Sequence, residues 1–208
     1  MEKLYRNTSY FFAAILLMAF AGFFKSYFHL FPTFQSVAGL VHFHAIMVLL
    51  WFATLIAQPL LIRKKKLVWH RLIGKLSYFV VALLAGSMIL LLRVSLQNEN
   101  AILIGVGDLI FFLAFYIAAM VYAKHTPYHV RYIVISVLPF INPSLGRLGL
   151  PSPLFGLAII IALLIYERFN KKIYRPYLIA LPSFLIIYIL FIFVIDAKMW
   201  KAFWSFLL

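Results

Sequence analysis

The sequence predicts an all-α fold, an integral membrane helix bundle of about seven transmembrane helices with its N-terminus in the cytoplasm. Three observations predict it. The 208 residues are 66% hydrophobic and only 12% charged, with a mean hydropathy of +1.04, whereas soluble domains are about half apolar and about a quarter charged. Apolar runs of about 20 residues, enough to cross hydrocarbon roughly 30 Å thick, recur along the chain. The 19 basic residues fall between those runs and favour one side, as cytoplasmic loops do.

The spans are predicted at about Tyr10 to Phe28, Leu40 to Ile62, Leu72 to Leu96, Ala101 to Ala123, Pro127 to Leu145, Pro153 to Phe169 and Tyr177 to Ile195. Pro32 closes the first hairpin. Asn100 is placed to cap the fourth helix, and Thr126 with Pro127 reads as an N-cap followed by a first helical residue. The stretch from Pro143 to Pro153, with Gly146 and Gly149, separates the fifth helix from the sixth. These runs leave no room for a soluble domain, so residues 1–208 read as a single polytopic membrane domain. The first run lacks a small-residue cleavage pattern and is expected to be a retained helix. Lys198, Trp200, Phe203 and Trp204 alternate charge and aromatics as an interfacial anchor does.

With the N-terminus inside, fourteen basic residues lie on the cytoplasmic side: Lys3, Arg6, Arg63, Lys64, Lys65, Lys66, Arg71, Lys75, Lys124, Arg131, Arg168, Lys171, Lys172 and Arg175. Five lie opposite, Lys25, Arg93, Arg147, Lys198 and Lys201. The expected location is the bacterial inner (cytoplasmic) membrane. A formal charge of +14 spread between apolar runs makes no basic face, which speaks against nucleic acid. Lipid headgroups are the expected counter-charge, with other membrane subunits as further partners. The chain has no cysteine, which excludes disulfides, thiolate metal sites and Cys-attached haem. It carries no Walker A loop, glycine-rich dinucleotide fingerprint, GxSxG elbow or HExxH motif.

Ionisable groups inside spans cost at least about 2.5 kcal/mol each near the bilayer centre, so they mark candidate sites. His44, Trp51 and Gln58 recur every seven residues and share one stripe of the second helix. His42 lies about 200° from His44 around that helix, so the two cannot face one partner. Toward the outer side, Asp108 is expected to pair with Arg93 or Arg147, either as a structural ion pair or as a polar chamber that binds an anionic group or moves protons. With His42, His44 and Gln58 they make up an intramembrane polar cluster. Toward the inner side stand His70, His125 and His129, which read either as interfacial histidines or as ligands. The i, i+4 spacing of His125 and His129 suits chelation, although Pro127 places His125 before the helix.

The segment HFHAIMVLLWFATLIAQPLLIRKKKLVWHRLIGKLSY, with His, Trp, Gln and then His-Arg-x-x-Gly, and the later HVRYIVISVLPFINPSLGRL, with His-x-Arg, resemble an uncharacterised family of bacterial multi-pass membrane proteins. In layout they are distantly similar to cytochrome b561-type proteins, in which histidines on facing helices ligate b haems. The resemblance covers about Gly22 to Leu148. It implies a haem b electron-transfer protein with His70 and His129 as an inner pair, His44 as an outer ligand partnered by His29, and Arg131 or Arg147 balancing propionates. Gly86 and Ser87, or Gly105 and Gly107, would admit a flat cofactor or serve as helix contacts. Seven helices with inner-face histidines also resemble progestin and adipoQ receptor-like proteins, which implies an intramembrane zinc-dependent hydrolase with His70, His125 and His129 as ligands. The remaining reading is a cofactor-free transport, assembly or accessory subunit.

Overall fold

The protein is described by a computed structural model covering residues 7–94 and 99–189. Among these residues every regular element is helical: α1 (Thr8–Phe23), a short 3-10 turn (Phe28–Leu30), α2 (Gly39–Arg63), α3 (Leu67–Val94), α4 (Glu99–Val121), α5 (Thr126–Ser136), a second 3-10 turn (Leu138–Phe140), α6 (Ile141–Arg147), α7 (Ser152–Phe169) and α8 (Arg175–Ile189). Four helical stretches, Gly39–Arg63, Leu67–Val94, Ile104–Val121 and Ser152–Phe169, are long and apolar enough to cross a membrane; α1 and α8 are shorter apolar helices. The chain is a helical membrane protein by these lengths and compositions. The end of the seventh predicted span, with the aromatic anchor from Lys198, lies outside the described residues.

Several boundaries differ from the expected ones for local reasons. α3 begins at Leu67, five residues early, so His70 sits in its first turn. α4 begins at Glu99, which puts Asn100 inside its first turn and not at its cap. At α5 the residue before the helix is His125, with Thr126 and Pro127 already helical. The largest difference is the predicted span from Pro127 to Leu145. It is broken after Ser136, because Pro139 has no N–H to continue the ladder and its ring obstructs the preceding turn. A 3-10 turn, in which the Phe140 N–H donates to Val137 O at 3.1 Å, carries the chain into α6.

Three helix ends share one chemistry. Lys65, Lys171 and Gly149 follow α2, α7 and α6 with positive φ of 56°, 52° and 73°. At each, the next amide reaches back five residues: Lys66 to Leu61 O at 2.8 Å, Lys172 to Glu167 O at 3.0 Å and Leu150 to Leu145 O at 3.0 Å. This Schellman arrangement satisfies carbonyls that the helix leaves open. Two of the left-handed positions carry lysine, placing charge where the chain turns back.

The chain divides into two compact units, residues 1–88 with 143–150, and residues 89–142 with 151–208. In the first, α1 packs along α2, and Phe12, Ile15, Met47, Trp51, Phe52, Leu55, Val81 and Leu84 are buried. Here Gly22 meets α6 so closely that an added Cβ would lie 2.5 Å from Ser144 O, so any side chain would force the two backbones apart. In the second, Phe111, Phe112, Ala119, Ile135, Ile160, Tyr177, Ala180 and Phe184 are buried, and the Phe111 and Phe184 rings meet edge to face at 5.6 Å. Gly105 and Gly107 are covered by the Leu92 and Ile187 side chains, so both act as helix contacts. Gly86 has nothing within 4 Å of an added Cβ.

Candidate functional site

The polar side chains of the first unit are held in separate pairs. Tyr27, whose hydroxyl burial pushes above its usual range, lies 2.7 Å from His42 Nδ1. Either partner can donate in this pair, according to which nitrogen of His42 carries the proton. Two residues on, His44 Nδ1 lies 2.8 Å from Ser87 Oγ on α3. The Ser87 hydroxyl gives its single hydrogen to Leu84 O at 2.6 Å. Its oxygen must therefore accept from His44, which fixes that tautomer, with the proton on Nδ1 and a lone pair on Nε2. Further along the same stripe Trp51 is 1% exposed, and Gln58 Nε2 donates to His70 O at 3.2 Å. The Gln58 Oε1 is buried without a hydrogen-bond partner among the described residues. His29 is exposed. Arg147 donates to Pro143 O at 3.0 Å, and its guanidinium lies 4.0 Å above the Phe23 ring.

The second unit contains two buried polar centres. The first surrounds Asp108 on α4, which is 6% exposed, with Asn142 at 3% and Tyr188 at 6%. Asn142 Nδ2 donates to Asp108 Oδ1 at 2.6 Å and also to the Tyr188 hydroxyl oxygen. The Tyr188 hydroxyl donates to the same Asp108 Oδ1. The break at Pro139 makes this possible, because it starts α6 at Ile141 and so aims Asn142 at α4. Asp108 was expected to pair with Arg93 or Arg147; its hydrogen-bond partners among the described residues are instead neutral. Arg93, in the same unit, is exposed at the end of α3. The Asn142 Oδ1 is buried without a hydrogen-bond partner among the described residues.

The second centre is an ion pair. Arg131 on α5 and Glu167 on α7 are 1% and 2% exposed, and Arg131 Nε donates to Glu167 Oε1. Arg131 also donates to Pro127 O at 2.8 Å and lies 3.6 Å above the Tyr174 ring. The Tyr174 amide donates to Glu167 Oε2 at 2.9 Å. Both carboxylate oxygens and two guanidinium nitrogens of the pair are engaged, as burial of two charges requires. The guanidinium expected to balance a propionate is thus committed to Glu167. Close by, His129 Nδ1 lies 2.8 Å from Ala119 O. A carbonyl only accepts, so His129 carries its proton on Nδ1 and, like His44, presents a bare Nε2.

The histidines named as ligands are divided between the units, with His44 and His70 in the first and His125 and His129 in the second. Among the described residues no three His, Cys, Asp or Glu side chains are gathered to hold a metal ion. His44 and His129 do fit the donor chemistry of a haem or metal ligand, since a hydrogen-bonded Nδ1–H orients Nε2 and strengthens it as a base. Asn142, Tyr188 and Glu167 are absent from the sequence-level site. The signals for them were an amide between two prolines, a phenol deep in an apolar run, and an acid in the last turn of a span. No protein-family model, curated protein or solved structure matches the chain.

Removing one partner of a buried ion pair strands the other charge. Glu167→Gln is therefore expected to lower unfolding stability in detergent by about 3–5 kcal/mol. The double variant Arg131→Met with Glu167→Leu should lie within about 1 kcal/mol of the parent. Unfolding followed by circular dichroism checks both, and a Glu167→Gln variant as stable as the parent would show that the pair holds nothing together.

Proposed function

We propose that this chain is a transport protein of the bacterial inner membrane, crossing it seven times with its N-terminus in the cytoplasm, in which the Asp108 carboxyl takes up and releases a proton. The observation that carries this reading is a carboxyl buried in an apolar span and held, among the described residues, by neutral groups. Elsewhere in the same unit the chain offsets a buried acid with a guanidinium, at Glu167. At Asp108 it supplies an amide and a phenol, which orient a carboxyl without supplying an offsetting charge. Both donors converge on Oδ1, so among the described residues Oδ2 carries no hydrogen bond and is the seat for the exchanging proton. A lasting charge at such a depth is costly, which ties protonation to the passage of the group between environments.

The test is proton uptake into liposomes holding the purified protein, read by an entrapped pH dye under an imposed membrane potential. Asp108→Asn keeps the shape and the acceptor and removes the exchangeable proton. It is expected to lower flux by about tenfold or more, with Tyr188→Phe between it and the parent. Flux equal to the parent's in Asp108→Asn, or no flux above empty liposomes, contradicts the reading.

A second reading, a b-type haem protein passing electrons in the membrane, is supported by one observation: both His44 and His129 present an Nε2 lone pair. When bound, the group would supply one-electron chemistry, and each imidazole would serve as a ligand within its own unit. A reduced-minus-oxidised spectrum of protein expressed with excess haem should then show Soret and alpha bands that His129→Ala diminishes. A flat spectrum removes this reading and leaves the Asp108 proposal standing.

A further inference from the structure

A cavity of about 360 Å³ opens at the end of the second unit where α4 finishes and α5 and α8 begin, lined by Tyr122, His125, Tyr128, Tyr132, Arg175 and Ile179. Its lining combines flat rings with a guanidinium. Tyr122 and Tyr128 stack with centroids 5.3 Å apart and planes 20° from parallel, and Tyr132 meets Tyr122 at 5.6 Å. His125 directly precedes α5 and Arg175 is the first residue of α8, so the positive ends of two helix dipoles lie at the cavity. The α5 first turn contains no acid.

The surrounding charge has one sign. Lys124, Arg168, Lys171 and Lys172 are exposed on the adjoining turns. Between residues 124 and 175 the sequence holds one acid, Glu167, and that carboxylate is consumed by Arg131. The free hydrogen-bonding groups of the lining are a guanidinium, an imidazole and phenols, a set that binds the oxygens of a phosphate ester. On its other side the lining is apolar and open: Ile179 is 45% exposed, its chain neighbour Leu178 51%, and Val121, next to Tyr122 in the chain, 72%. An anion alone would leave that side unused, whereas an amphiphile would cover it.

We infer that this cavity binds the phosphate of an anionic amphiphile, the headgroup of an acidic phospholipid, with Arg175 and His125 on the phosphate oxygens and the acyl chain along Ile179. The site is separate from Asp108 and does not depend on its proposed role.

The experiment uses full-length protein in detergent, mixed with phosphatidylglycerol, with phosphatidylcholine, or with inorganic phosphate alone. Binding is read by native mass spectrometry and by the shift in unfolding temperature. Phosphatidylglycerol should be retained over phosphatidylcholine, and Arg175→Gln should weaken it about fivefold, the share of one basic residue in anionic headgroup attraction. Arg175 is exposed, so its loss leaves the core intact; Tyr128→Phe, which keeps the ring, is a second variant expected to weaken binding less. If inorganic phosphate produces the same Arg175-dependent shift, the phosphate site stands and its source is soluble. Lipid retention unchanged in Arg175→Gln, or weakened equally by Lys171→Gln, overturns the proposal, since the attraction would then be diffuse.

Discussion

Hydrocarbon supplies no hydrogen bonds, and the way this chain meets that constraint determines where its polar side chains can be. Backbone groups are satisfied within helices, and the carbonyls left over at three helix ends are reached by amides five residues on. Polar side chains are held in small sets: His42 with Tyr27, His44 with Ser87, Arg131 with Glu167, and Asp108 with Asn142 and Tyr188. Each set joins residues far apart in the chain, so each also ties one segment to another. A buried acid or base left alone would cost more than most helix contacts return.

Two acids in one unit are treated differently, and the contrast organises the functional reading. Glu167 has a guanidinium, a backbone amide and an aromatic ring stacked on its partner. Such an arrangement holds a fixed charge. Asp108 has an amide and a phenol, which can orient either protonation state without stabilising one charge outright. In the proposed function, holding the structure and handling a proton fall to separate residues of one helical unit.

Hydropathy made four long helices legible because nothing else explains such runs, and the predicted ends of α2 and α7 fall within one residue of the observed ones. The opposed directions of His42 and His44 followed from helix geometry, and the structure places them on Tyr27 and Ser87. What could not be read was pairing between distant segments. Asp108 was assigned an arginine because opposite charge is the simplest partner, but its partners lie 34 and 80 residues away and are neutral. Asn142 was hidden by treating the fifth span as one helix, when Pro139 breaks it and sets the direction of α6. The burial of Glu167 depends on a contact with Arg131, 36 residues away, which no local pattern signals.

All of this presumes that α4, α7 and their neighbours lie across a bilayer, with the basic turns on one side. The chain has no native cysteine, so single cysteines report position without background. The direct measurement is labelling of Lys64→Cys, Leu148→Cys, Lys172→Cys and Ala114→Cys in intact cells with a membrane-impermeant maleimide, before and after the membrane is opened. Labelling of position 148 in intact cells, of 64 and 172 only after opening, and of 114 in neither state is the predicted result. Positions 64 and 148 labelled from the same side, or position 114 labelled freely from water, would contradict the account.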